Sequence, residues 1–155
     1  MKSKEIKYKS KGQAYSVIIG QNVLKHLPNR IEKLCPKTKN IAIFIDANVP
    51  KKFKNILKVK LKKFNLIFFK FKANEKTKSI KTVEKYLFKL LSNNFNRSDL
   101  IIAVGGGITG DVIGFISSLY KRGINFINIP TTLLAQADAA IGGKTGVNSS
   151  FGKNL

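Results

Sequence analysis

The stretch Asp99-Leu-Ile-Ile-Ala-Val-Gly-Gly-Gly-Ile-Thr-Gly-Asp111 restricts the possible folds of this chain more than any other. From Leu100 to Val104 it is continuously apolar, and it stops abruptly at Gly105, Gly106 and Gly107. An uninterrupted apolar run suits a central parallel strand covered on both faces, because a half-exposed strand alternates. Glycine lacks a Cβ, so the main chain there can adopt positive φ and lie directly against a ligand. A helix starting near Ile108 would offer its first free N–H groups to a phosphate or pyrophosphate. Gly105, Gly107 and Gly110 satisfy G-x-G-x-x-G, yet the acidic residue roughly 20 positions on that completes the dinucleotide fingerprint is missing, since the next strand ends in Ile129-Pro130. The local pattern favours a phosphate-cradling turn. The alternative is a tight strand-to-helix turn whose glycines only permit close packing. Asp111 likewise stabilises a helix dipole with or without a ligand.

The remaining elements alternate. Ile6–Lys9 and Ala14–Ile19 read as short strands joined around Lys11-Gly12 in a hairpin. Apolar positions Val23, Leu24, Leu27, Ile31 and Leu34 recur at helical spacing, with Pro28 distorting or dividing that helix and His26 a plain surface side chain. Asn40–Ile45 is a buried strand ending in Asp46-Ala47-Asn48-Val49-Pro50. Ligands of open α/β sheets bind beyond the carboxyl ends of strands, so Asp46 and Asn48 either meet a ribose or adenine or cap the next helix. That helix is expected from Pro50 to about Phe64, followed by a strand over Leu66–Phe71 and a helix over Ile80–Leu91 with Ile80, Val83, Leu87, Leu90 and Leu91 inward. After the glycine turn, Val112, Ile113, Ile116 and Leu119 face inward, Tyr120-Lys121-Arg122-Gly123 closes the helix, and Asn125–Ile129 forms a strand. Pro130-Thr131-Thr132 opens a last helix, with Leu133, Leu134, Ala137 and Ile141 as its apolar stripe and Thr131, Ala135, Asp138 and Gly142 on a separate face of small or polar groups. Strand and helix in regular alternation predict a Rossmann-like, doubly wound, mostly parallel sheet with an N-terminal hairpin, in a single α/β domain over residues 1–155.

Composition excludes several classes. One cysteine, Cys35, rules out an internal disulfide and fits a reducing compartment. The N-terminus lacks the apolar core of a signal peptide, and no apolar run approaches the ~18 residues of a membrane span, so a cytoplasmic protein with no membrane partner is expected. A net charge of +21 would ordinarily suggest a polyanion partner. Of 29 basic residues, however, only Arg30, Arg97 and Arg122 are arginine, whose planar fork reads guanine and phosphate, and the lysines are scattered without an aromatic platform. The lysine excess reads as compositional drift, with nonspecific nucleic-acid adhesion at low salt as a by-product and no specific nucleic-acid partner. Gly142-Gly143-Lys144-Thr145 imitates the end of a P-loop, but Asp138 stands where its first glycine belongs and a helix, not a strand, precedes it. Lys144 and Lys153, each preceded by glycine, read instead as cations on turns that face an anionic ligand.

Taken together, Gly105-Gly-Gly-Ile-Thr-Gly-Asp-Val-Ile-Gly-Phe115, Tyr120-Lys-Arg-Gly123, Ile129-Pro-Thr-Thr-Leu-Leu-Ala-Gln-Ala-Asp138, Gly142-Gly-Lys-Thr-Gly-Val-Asn148 and Gly152-Lys-Asn154 closely resemble the 3-dehydroquinate synthase family, and Asp46-Ala-Asn-Val49, Glu75 and Lys78 extend the match upstream. The resemblance implies an NAD-using, metal-dependent cyclase of the shikimate pathway. Such an enzyme converts the phosphorylated sugar acid 3-deoxy-D-arabino-heptulosonate 7-phosphate to 3-dehydroquinate and releases phosphate. By matching position, it implies that Asp46, Asn48, Glu75, Lys78, Gly106, Gly107, Asp111, Thr131 and Thr132 contact NAD. It also implies that Lys144, Asp138, Lys153 and Asn154 face the substrate or its junction with NAD, with Lys144 and Lys153 touching both. Arg122 would reach the phosphate of a neighbouring subunit's substrate, so a homodimer is implied. Hydride removal beside a leaving group acidifies the adjacent carbon, and nearby lysines stabilise the developing oxyanion.

Two departures stand out. The family's Asp-Gly-Glu segment is Ala73-Asn74-Glu75 here, and the glutamate and two histidines that hold zinc or cobalt in the family's C-terminal helical domain have no counterpart, His26 being the single histidine. The expectation is therefore a fragment that ends at the start of the interdomain substrate site. Such a fragment would be inactive alone, with a separate C-terminal polypeptide as one way of completing it. Competing readings are a related sugar-phosphate cyclase, a metal-dependent alcohol dehydrogenase, and a non-catalytic module that binds NAD or nucleic acid.

Overall fold

The computed structural model describes residues 3–10 and 13–154. Strands β1 (Lys4–Ser10) and β2 (Gln13–Ile19) pair antiparallel as a two-stranded sheet of their own, and the expected joint at Lys11-Gly12 lies outside the described residues. A turn of 3-10 helix over Val23–His26 is followed by α1 (Leu27–Leu34), with Pro28 in its first turn, so the proline divides the helix. It sits where its missing N–H costs nothing.

Four parallel strands form the main sheet: β3 (Asn40–Asp46), β4 (Asn65–Phe71), β5 (Leu100–Gly105) and β6 (Asn125–Pro130), in the order β4-β3-β5-β6. Helices α2 (Lys51–Lys60), α3 (Ile80–Ser92) and α4 (Gly107–Leu119) make the crossovers. β3 and β5 are buried along nearly their whole length because both faces are covered. One face packs Ile41, Ile43, Ile45, Leu100, Ile102 and Val104 against Leu27 and Ile31 of α1 and Leu57 of α2. The other packs Ala42, Phe44, Ile101 and Ala103 against Val83, Tyr86 and Leu90 of α3 and Val112, Ile113 and Ile116 of α4. This is the doubly wound arrangement that the alternation predicts.

Three expected stripes are displaced. In α3, Tyr86 is buried, whereas Ile80 and Leu91 are 58% and 49% exposed; Leu119 of α4 is 47% exposed. The expected last helix is a short π-helical turn over Ala135–Ala139, and its expected apolar stripe does not face inward. Leu133 and Leu134 are 83% and 73% exposed and Ala135 is 2%. Ala139 Cβ would lie 3.4 Å from a Cβ on Gly107, so the turn meets the start of α4 through a small side chain in ordinary contact.

Candidate functional site

The chain leaves β3 for one side of the sheet and β5 for the other, so a crevice opens between their carboxyl ends, the usual ligand position in such sheets. A cleft of about 1050 Å³ lies there. Residues at or beyond the ends of all four parallel strands reach it: Asp46 at the end of β3 with Asn48 and Pro50 after it, Ala73 after β4, Gly106 and Gly107 after β5, and Thr131 and Thr132 after β6. Six residues expected to contact a dinucleotide, Asp46, Asn48, Gly106, Gly107, Thr131 and Thr132, are thus brought together by topology.

The glycines divide by task, and none of Gly105, Gly106, Gly107 or Gly110 takes the positive φ expected for the turn. A Cβ on Gly105 would stand 2.4 Å from Thr109 Oγ1, and one on Gly110 would stand 2.8 Å from Asn128 Nδ2. These two serve close packing. Gly106 and Gly107 instead line the cleft, where Gly106 is the N-cap of α4 and no side chain caps the helix. A glycine floor beside an uncapped helix N-terminus fits the pyrophosphate of a dinucleotide.

Asp46 does not cap α2, whose N-cap is Pro50 without a side-chain bond. Its carboxylate, on a residue only 6% exposed, accepts from Asn48 N at 2.7 Å, Ala73 N at 3.2 Å and Thr109 Oγ1 at 3.4 Å. Asp46 therefore ties the exits of β3 and β4 to α4 and holds Asn48 in an Asx turn at the cleft wall.

A second polar cluster lies one turn along α4. Lys78, 6% exposed, donates from Nζ to Asp111 Oδ2 and Asn154 Oδ1, both at 2.5 Å. Asn74 opens the preceding turn over Glu75–Thr77 with a reciprocal capping box, so asparagine performs a clear local job where the family carries Gly. Glu75 accepts from Asn148 Nδ2 at 2.7 Å. Glu75, Lys78, Asp111 and Asn154 are thus gathered by contact, while Asp138, Lys144 and Lys153 are exposed. Lys144 follows Gly142 and Gly143 at φ 89° and 69°, on a turn with no helix after it, which excludes a P-loop. Arg122 is exposed at the far end of α4, so the structure does not bring it to this cleft.

Sequence reasoning missed the opposite wall, where Asn22, Lys25, Phe53, Ile56, Lys60 and Gln136 line the cleft. No motif marks the first five, because they come from unrelated elements, whereas Gln136 lies inside the Ile129–Asp138 motif. Thr109 and Asn148 were also unassigned, although both sit inside quoted motifs. Among the described residues, no three His, Cys, Asp or Glu side chains converge as a metal site, so the described donor set does not fit a metal ion.

Fold and cleft define an α/β domain of the open, doubly wound class, with its cleft at the carboxyl ends of the parallel strands. A model of the N-terminal part of 3-dehydroquinate synthase matches residues 68–155, and the chain belongs to the 3-dehydroquinate synthase family. It is 46% identical over 154 residues to 3-dehydroquinate synthase of Pelagibacter ubique (strain HTCC1062), covering 97% of this chain and 41% of that relative. Among solved structures it is similar to 2-deoxy-scyllo-inosose synthase complexed with carbaglucose-6-phosphate, NAD+ and Co2+, with a TM-score of 0.86 and 28% identity over 99% of this chain and 41% of that one. It is also similar to 2-epi-5-epi-valiolone synthase of Streptomyces hygroscopicus subsp. jinggangensis 5008 with NAD+ and Zn2+ bound, with a TM-score of 0.77 and 29% identity over 95% and 41% of the two chains. The chain spans about two fifths of the length of the relatives it matches.

Proposed function

We propose that this chain is the NAD-binding portion of a 3-dehydroquinate synthase acting on 3-deoxy-D-arabino-heptulosonate 7-phosphate. One observation carries the reading: the cleft at the carboxyl ends of the sheet, floored by Gly106 and Gly107 at an uncapped helix start and walled by Asp46, Asn48, Thr131 and Thr132. In it, the first turn of α4 receives the pyrophosphate, Asp46 holds Asn48 toward a ribose, and the two threonines flank the nucleotide. NAD supplies a hydride acceptor that returns its hydride within the same reaction cycle. Lys78 is the buried cation on the nucleotide side, paired with Asp111 so that its charge is fixed in place. Lys144, Asp138, Lys153 and Asn154 face the substrate, and Arg122 serves the phosphate bound by a second copy of the chain. The 46% identity with a 3-dehydroquinate synthase favours this substrate over that of the cyclase at 28%. The lone thiol, Cys35, and the absence among the described residues of a helix long and apolar enough to cross a membrane accord with work in the cytoplasm.

Calorimetric titration with NAD tests the proposal. Saturable binding that changes little with salt is expected, and Gly106→Val, which crowds Thr132 and fills the floor, weakens it at least about tenfold. Absence of NAD binding, or displacement of NAD by DNA at high salt, refutes it. With NAD and zinc added, these 155 residues produce no dehydroquinate, because the described residues carry no metal donor set. Turnover by them alone overturns that part. Steady accumulation of NADH with an alcohol would point to a dehydrogenase.

A further inference from the structure

We infer that Asn148 is a positioning residue that sets the nucleotide-side turn and the substrate-side segment as one unit, a role whose functional consequence rests on the NAD reading above. Its side-chain amide is used at both ends. Nδ2 donates to Glu75 Oε2 at 2.7 Å, and Oδ1 accepts from Asn154 N at 3.2 Å. Its own N–H donates to Lys78 O at 2.8 Å, and it pairs with Ser79 in an isolated parallel bridge. Val147 beside it is 3% exposed and packs in the core cluster under α3 and α4, which anchors the clasp. The circuit then closes on itself, since Asn154 Oδ1 accepts from Lys78, and Lys78 also donates to Asp111. Asn154 is held at φ 61°, a left-handed conformation that needs such support.

Only a short side chain with a donor and an acceptor on one planar group satisfies both partners. Aspartate keeps the acceptor and loses the donor, and alanine loses both. Glu75 is exposed, so without Nδ2 its carboxylate samples several rotamers, and a ligand must pay to order it.

The two halves of the clasp can be separated. In Asn148→Ala, affinity for NAD falls roughly tenfold, and the Asn154 amide exchanges with solvent about tenfold faster. In Asn148→Asp, the Asn154 amide keeps its protection, because the acceptor remains, while NAD affinity falls at least as far, because a carboxylate now opposes Glu75. Combined with Glu75→Ala, Asn148→Ala costs no further NAD affinity, an interaction that a merely structural role would not produce. Wild-type NAD affinity in both single variants, or additive losses in the double variant, overturns the inference. If the unaltered chain binds no NAD, the NAD reading and the functional part of the inference fall. The contrast in Asn154 exchange between the Ala and Asp variants then decides whether the clasp exists, and equal exchange in both removes it.

Discussion

Asp99 is 1% exposed and accepts from Lys39 N, Asn40 N, Asn40 Nδ2 and Asn96 N at 2.8–3.1 Å, so it fastens the entry of β3 to the entry of β5. Burial pushes its carboxyl up, but the bond from the Asn40 side chain and those from the backbone of Asn96, Asn40 and Lys39 outweigh burial and hold it below the ordinary range. A carboxyl depressed in the folded state stabilises above its unfolded pKa and loses that contribution as pH falls through the folded value. Asp99→Asn therefore costs about 2 kcal/mol near neutrality, and the gap from wild type narrows as pH drops below about 4, a trend that urea midpoints measured across pH will display. Gly105→Ala acts by another route. Its new methyl meets Thr109 Oγ1 at 2.4 Å and Thr109 Cβ at 2.7 Å, and Thr109 is fully buried and bonded to Asp46. Overpacking of this kind costs about 1–3 kcal/mol and should appear as a lowered midpoint with an unchanged denaturant slope.

Among elements, strands were more legible than helix faces. β3 and β5 announce themselves because burial on both sides demands apolar residues at every position, whatever the neighbours. A helix stripe is legible only if the apolar side is the inner one. Leu133 and Leu134 break that rule, since they are exposed while Ala135 of the same turn is buried. The hairpin β1–β2 is legible as alternation, yet its anchor is not, because Glu5 and Arg30 are far apart in sequence. Arg30 donates to both oxygens of Glu5, holding that carboxyl below its ordinary range. A two-stranded sheet is marginal by itself, so this attachment matters locally more than globally. Arg30→Ala should speed amide exchange across β1 roughly tenfold and leave the unfolding midpoint nearly unchanged, since this half-buried pair joins only the hairpin to α1. Acid releases the same element in the unaltered chain, because the Glu5 contribution present at neutrality vanishes as pH falls through its lowered pKa.

Over the whole molecule, the cleft was legible because it is made of strand exits, each marked by polar or glycine residues directly after an apolar run. The Asn148–Glu75 link was not, because it joins distant segments through an ordinary asparagine. Charge is the other whole-molecule property. The sequence carries 29 basic and 8 acidic residues, and the three ion pairs among the described residues are Arg30–Glu5, Lys63–Glu32 and Lys78–Asp111. Some of the surplus has a local role over aromatic rings: Lys54 and Lys58 lie over Phe68 of β4 at 5.1 and 5.9 Å, and Lys85 and Lys89 over Tyr86 of α3 at 5.9 and 5.6 Å. The rest repel one another, and repulsion between exposed charges is screened once the Debye length falls from about 30 Å at 0.01 M salt to about 8 Å at 0.15 M. Across that range the thermal midpoint should rise by several degrees and adhesion to DNA should fall steeply. The proposed NAD binding, which relies on main-chain groups at Gly106 and Gly107 and not on the surface lysines, should persist. A midpoint indifferent to salt would mean that the lysines already sit too far apart to repel, and DNA retention at high salt would mean that they form an organised surface after all.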